Sequence, residues 1–189
     1  MLVPAIIRRM DQPQGTLLHL DAEHAAFIQG AVSVVVSSRN SQHVPDVVRG
    51  CGCRVTRDRR RVTVLVEAAR AGSVLDDIAA NGLIAVVFSQ PSTHRPIQLK
   101  GSDARVTRVT GADRVIAQRH LQAGVQDLQL IGYAADFARA VRGEAPDLAA
   151  VTFTLASAFL QTPGPAAGKR LAQCPRRSHC IPSAPASRA

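Results

Sequence analysis

Thr93, His94 and Arg95 stand in a row, and Gln98 and Lys100 follow them at alternate positions in the segment Ser89–Gly101, SQPSTHRPIQLKG. All five carry hydrogen-bonding side chains. Nothing in the stretch has the spacing of a nucleophile with its base, of metal ligands, or of a glycine-rich phosphate loop. The chemistry on offer is therefore binding, with donors at a turn and along one strand face. A solvated strand face with an ordinary polar turn is the plainer reading. Arg70 and Ser73 form a second candidate: an arginine beside a helix N-terminus is a natural phosphate site, although a capped helix alone has the same pattern. Cys51, Cys53, Cys174 and Cys180, with His179, have no C-x-x-C pair among them. They read as reduced thiols rather than zinc ligands.

The elements that must position these groups are mostly strands. Leu83–Phe88 is a short, β-prone apolar run, expected to be a strand buried on both faces. After the polar turn the alternation resumes, with Ile97 and Leu99 on one face and Gln98 and Lys100 on the other. This is a β-hairpin, and its second strand is expected to run on through Val109. Upstream, Ala31–Ser38, Val44–Val55 and Arg61–Glu67 read as three more strands. Gly50 and Gly52 mark a bulge or a close approach, giving either room for a flat ligand or tight curvature of a small barrel. Cys51 and Cys53 are expected on one face. Arg57–Arg61 forms an exposed turn.

Helices interrupt the strands rather than alternating with them. Asp21–Gln29 is a short helix capped by Asp21, with His24 at its surface. Val74–Asn81 is capped by Ser73, with Asp76 at the capping-box position, and ends at Asn81-Gly82. Thr110 caps a helix over 112–122, on which His120 is expected to be partly exposed, and Gly124–Gly132 is a connector. Ala134–Val141 is a helix burying Phe137 and Val141, ended by Pro146-Asp147. Leu148–Leu160 is the last strand. Many short strands with inserted helices argue for a mainly β, antiparallel barrel with peripheral helices. Residues 1–20 read as an N-terminal arm, 21–165 as the domain, and 166–189 as a disordered Arg/Pro/Ser/Ala tail.

The stretch FSQPSTHRPIQLKG, lying between two strands, resembles the pyridoxamine 5'-phosphate oxidase-like family of FMN-binding split β-barrels, some of whose small members carry PSTHR-x-x-QLKG in this place. Gln161–Gly168, QTPGPAAG, resembles the end of their barrel domain, and the likeness spans about Phe27 to Gly168. The resemblance implies a split antiparallel β-barrel, FMN as cofactor, a homodimer with cofactor sites at the subunit interface, and flavin-dependent redox chemistry of unknown substrate. It suggests Arg49, Arg70 and Ser73 for the phosphate, and Thr93, His94, Arg95, Gln98 and Lys100 for the ring edge or ribityl chain. No side chain is needed as acid or base, so no catalytic residue is named. The family's oxidases typically carry lysines where this chain reads VVRGCGCR and ARAGSV. That departure argues against pyridoxamine phosphate oxidation and leaves room for a different reduced-flavin or deazaflavin reaction. The alternative is a non-catalytic binding module for haem, deazaflavin or a sensory flavin, with His94 and His120 as haem candidates.

Composition narrows the rest. The chain has 189 residues, 46% hydrophobic and 20% charged, enough for one domain with a substantial core. The formal charge is +9, carried by 23 Lys+Arg of which only Lys100 and Lys169 are lysines. That charge is spread out, and aromatics are 3% with no Trp, which argues against a single-strand nucleic-acid platform. No apolar run reaches the ~20 residues of a membrane helix, and no signal-length segment follows Arg8-Arg9. A cytoplasmic protein is expected.

Overall fold

Alternation of Val and Ile with small or polar residues builds one antiparallel sheet. In the computed structural model, which describes residues 18–143, 147–162, 164–165 and 167–171, its strands are β1 (Ser33–Arg39), β2 (Pro45–Val55), β3 (Arg61–Glu67), β4 (Ile84–Gln90), β5 (Arg95–Gly101), β6 (Arg105–Thr107), β7 (Leu148–Thr154) and β8 (Ser157–Leu160). Their order is β6-β7-β3-β2-β1-β4-β5-β8. Consecutive strands β7 and β8 therefore sit near opposite ends of the order, yet only Leu155 and Ala156 join them. Likewise β5 and β6 lie toward opposite ends and are three residues apart. Such short links force the sheet to curl until its ends meet. The seam is held by Leu155 N donating to Arg60 O (2.9 Å), Ala156 N to Lys100 O (2.9 Å) and Thr154 N to Asp103 Oδ1 (2.8 Å). Phe153 on β7 packs across onto Gly101 of β5. Among the described residues no ladder joins β6 to β8. The result is a split antiparallel β-barrel.

The inner faces of Val34, Val36, Val86, Phe88, Ile97, Leu99 and Phe153 make the core. Helices plug its two ends. At one end, α1 (Ala22–Ile28) is capped by the Asp21 carboxylate, which accepts from His24 N (2.7 Å), and inserts Ala25 and Ile28. His24 also pairs with Asp21 and is mostly covered. At the other end, α2 (Gly72–Asn81) inserts Val74 and Ile78. Its Asp77 accepts from Ser38 Oγ (2.9 Å) and Asn81 Nδ2 donates to Arg39 O (2.7 Å). The expected Ser73 cap is not formed: a 3₁₀ turn over Ala68–Arg70 runs straight into α2, so Ala71 is the boundary and Ser73 already lies in the first turn.

The outer face of β2 carries α3 (Gly111–Leu130) and, packed on it, α4 (Ala135–Arg142). The ladder shift between Gly50 and Gly52 is a β-bulge. Gly50 lies against Val34, and Gly52, at φ 141°, faces Ile116 and His120 of α3, where a Cβ would stand 3.3 Å from Ile116 Cγ2. Bulge and glycines thus serve curvature and helix docking. The bulge also breaks the alternation, so Cys51 lines the outer surface while Cys53 enters the inner core and donates to Ile28 O (3.0 Å). They do not share a face. Burial, helped by Glu67, raises the Cys51 thiol to about 11, and burial raises Cys53 further, so both stay protonated at neutral pH.

Other expectations are corrected by packing. β4 alternates between buried and half-buried residues, and β3 is the strand buried on both faces from Val62 to Val66. The stretch after Gly101 is a separate strand, β6, on the opposite sheet edge, and 148–160 divides into β7 and β8 at the seam. Helix α3 does not stop near Gln122 but continues to Leu130. It is capped as expected by a Thr110–Asp113 capping box. It is also tethered at both ends: Asp113 to Arg54 Nε (2.7 Å), and Asp127 to Ser92 Oγ (2.5 Å), Ser92 N and Gln90 Nε2. Helix α4 is turned by about one residue, or about 100°, from the expected face. Ala138 is buried against α3, whereas Phe137 and Val141 are exposed (52% and 41%). Ala167–Leu171, assigned by composition to the tail, run beside β8, where Leu171 N donates to Ala158 O (3.0 Å). The arm up to residue 17, Pro146, and residues 172–189 with Cys174, His179 and Cys180 lie outside the described residues.

Substituting Gly52→Ala forces a side chain onto a left-handed backbone beneath α3, and is expected to cost about 1–3 kcal/mol. Gly72→Ala, with nothing within 4 Å of its Cβ at the start of α2, is expected to be neutral or stabilising. Urea denaturation of the two variants checks the contrast.

Candidate functional site

Strand parity places two of the predicted residues on one surface. Across the outer face, Arg49 pairs with Val35, Val35 with Val87, Val87 with Gln98, and Gln98 with Phe159. The neighbouring row is Val47, Ser37, Ala85, Lys100 and Ser157. Arg49 thus stands three strand spacings, about 14 Å, from Gln98 and Lys100, and the floor between them is Val35, Val87 and Ala85. Val35 and Val47 are 41% and 62% exposed, an apolar outer face left open by a single chain. At the far end Gln98 accepts from Gln161 Nε2 (3.2 Å), and Lys100 and Arg170 both lie over the Phe159 ring, at 5.5 and 5.8 Å.

Arg49 also opens onto a cleft of about 550 Å³ between β2, the end of β3, α3 and α4. Four arginines line it, Arg49, Arg70, Arg114 and Arg142, against one carboxylate, Glu67, which Arg70 Nε already holds at 2.8 Å. Arg49 donates to Val141 O, tying β2 to α4. Arg142 lies across Gly124, where a Cβ would overlap its guanidinium, and its Nη1 donates to Val32 O (3.1 Å). Its Nη2 is buried without a partner, and so is His120 Nε2 at the cleft's inner wall. Burial, together with the neighbouring Arg49, pushes the Arg142 pKa down. Burial first, and the Arg142 charge second, push His120 down to about 4. His120 is therefore a buried neutral imidazole, 7% exposed, where partial exposure was expected. A cleft with excess guanidinium charge and unsatisfied buried polar atoms suits a ligand with an anionic group.

The other predicted residues are placed elsewhere. Ser73 sits beside Asp46, whose carboxyl it holds below its ordinary range, and does not line the cleft. Thr93 and His94 form the exposed tip of the β4–β5 hairpin, where Thr93 Oγ1 donates to Gln90 Oε1 (3.2 Å) and His94 has φ 53°. Arg95 has the parity of Ile97, so it turns toward α1, pairing with Glu23 (2.8 Å) and covering the Phe27 ring (4.7 Å). In the Arg57–Arg61 turn, Arg59 Nε donates to Leu20 O (2.8 Å). Among the described residues no group of His, Cys, Asp and Glu has the arrangement of a metal site, and no helix is long and apolar enough to cross a membrane. Arg114 and Arg142 escaped the sequence reading, and His120 entered it only as a partly exposed haem candidate, because their cleft depends on a full-length α3 and a rotated α4.

As pH falls from 6.5 toward 4 the unfolded chain takes up a proton at residue 120 that the folded chain refuses, so stability drops across that window. Asp113 lies outside it. Burial would raise its pKa, but the Arg54 and Thr110 bonds outweigh that and lower it, so its contribution is lost only below its ordinary 3.8. His120→Gln is expected to flatten the loss, measured as unfolding free energy between about pH 6.5 and about 4.

No family model and no curated protein matches the chain. Among solved structures it is similar to HupZ of Group A Streptococcus (TM-score 0.48, 16% identity, 79% of this chain and 99% of that one). It is also similar to an F420 reductase (0.47, 12%, 74% and 98%). A third is a pyridoxamine 5'-phosphate oxidase-related, FMN binding protein from Nostoc punctiforme (0.42, 11%, 76% and 83%). At such identities and TM-scores nothing about ligand or activity passes from them to this chain.

Proposed function

We propose that the protein is an FMN-binding flavoprotein, a flavin-dependent oxidoreductase acting as a homodimer. The observation that supports this reading is the outer face: guanidinium charge at Arg49, with Arg70 beside it in the cleft, an apolar floor of Val35 and Val87, then Gln98 in the same row and Lys100 in the next (polar groups at both ends of an apolar surface). In this reading Arg49 and Arg70 hold the phosphate. Val35 and Val87 keep water from one ring face. Gln98 and Lys100 hydrogen-bond the ring edge, where a nearby cation stabilises added negative charge. Thr93 and His94 at the hairpin tip, Arg95 behind it, and Ser73 on α2 are not needed for these contacts. The flavin, when bound, supplies the redox step itself. A second copy laid over the outer face would cover Val35, Val44 and Val47, whose exposure is unusual for so apolar a strand pair.

The test is the visible absorption of the purified protein after desalting and after adding FMN. Retained flavin bands are expected, with affinity falling about 10–100-fold in Arg49→Gln and in Lys100→Gln, the loss of one charge-assisted bond each. A colourless protein that neither shifts nor quenches added FMN sinks the assignment, and a Soret band replaces it with haem. For the dimer, light scattering is expected to give twice the chain mass, and Val47→Glu to halve it.

A further inference from the structure

The arginine cleft holds more charge than a cofactor phosphate uses. Four arginines face one glutamate, and a phosphate monoester brings a charge of about −2 at most. With Arg49 and Arg70 given to that phosphate, Arg114 at the rim and Arg142 at the inner wall are left over. Arg142 is the telling one. Its Nη1 is spent on Val32 O and its Nη2 is buried and unpaired, next to a ring nitrogen of His120 that is equally unpaired. The Asp127 charge offsets part of the Arg142 charge, but no group bonds Nη2, and a charged donor left unmade costs more than a neutral one. Arg142 is nevertheless fitted with care, across a glycine in α3 that leaves space for nothing larger.

We propose that the inner half of this cleft is a subsite for a second ligand, the carboxylate of a small organic acid substrate, held by Arg142 and Arg114 against His120. The inference rests on the flavin reading for one step, the allocation of Arg49 and Arg70 to the cofactor phosphate. A planar carboxylate suits a guanidinium edge better than a tetrahedral group does. The groups facing His120 are Arg142 on α4, Arg49 on β2, and Arg114 and Arg119 on its own helix. Of the nearby carboxylates, Glu67 is paired with Arg70, while Asp127 is hydrogen-bonded by the neutral Ser92 and Gln90 and acts on Arg142 through its charge alone. His120 has its backbone partner at Gly30, and its Nε2 is buried without a partner. An entering anion offsets the arginine charge and lets that nitrogen take a proton, so the acid binds with proton uptake and more tightly as pH falls.

The experiment follows the His120 ring nitrogens by NMR in the full chain, with and without FMN, while benzoate replaces chloride at fixed ionic strength. His120→Gln assigns the signal. A saturable shift toward the imidazolium position is expected in both forms. The benzoate dissociation constant is expected to rise about 10–100-fold in Arg114→Gln, a rim residue without structural bonds, and in Arg142→Gln. An unmoved His120 signal overturns the proposal. So does a response to benzoate that FMN abolishes, because the cofactor then fills the whole cleft, and so does a response to inorganic phosphate but not to benzoate. If FMN fails to bind while benzoate still moves His120, the flavin reading falls and the acid subsite stands.

Discussion

The seating of α3 on the β2 bulge is the contact on which the rest of the outer surface depends. A regular β2 would present a side chain at residue 52 to the barrel interior. The extra residue at Gly50–Gly52 turns that position outward, and its lack of a Cβ lets Ile116 and His120 come down onto the strand. The two tethers then fix the helix lengthwise. Asp113–Arg54 anchors it to the same strand just beyond the bulge, and Asp127 anchors the β4–β5 hairpin to its other end. Each carboxylate is buried, so removing its partner would strand a charge, which is why such pairs fix register more firmly than their net energy suggests. One helix thereby sets the inner wall of the cleft and the pose of the hairpin that carries Gln98 and Lys100.

Helix α4 is held by a different balance. Its most apolar residues, Phe137 and Val141, stay exposed, with Tyr133 stacked on Phe137 at 5.1 Å. The buried side is instead Ala138 and the stem of Arg142, four residues apart and so on one face. Small Ala138 lets the helices approach, and Gly124 lets the guanidinium lie flat between them. The packing gain is modest and an arginine is desolvated to obtain it. A structure that accepted only packing would rotate α4 and bury Phe137. The observed rotation instead encloses Arg142, whose Nη1 donates to Val32 O.

The parts of the fold written in local pattern were legible from sequence. The bulge glycines, the Asp21 and Thr110 caps, the strand pairs around the Asn40 and Pro91 turns, and the alternation that splits Gln98 and Lys100 from Ile97 and Leu99 all reappear in the structure. What failed was set by distant neighbours. The run Leu83–Phe88 looks buried on both faces because Ala85 and Val87 are apolar, but they form an outer floor. Gly124 looks like a helix end because glycine is a poor helix former, but its missing side chain is what Arg142 needs. Cys51 and Cys53 look like same-face neighbours until the bulge intervenes. In the first two cases no short window contains both partners, whereas the bulge that parts the cysteines lies at the glycines between and beside them.

The same reasoning divides the polar run that first drew attention. Thr93, His94, Arg95, Gln98 and Lys100 are nearly contiguous in sequence, and contiguity suggests a single site. A strand does not respect contiguity, because odd and even residues leave it on opposite sides. Arg95 therefore goes to α1, where it pairs with Glu23 and covers the Phe27 ring at the barrel's end. Gln98 and Lys100 go to the outer floor and join Arg49, a residue about a third of the domain away in sequence but in the same row of the sheet as Gln98 and the row beside Lys100. The hairpin is thus two devices on one ribbon: an inward clasp that stabilises the barrel, and an outward pair of donors that faces the arginine cleft across Val35 and Val87.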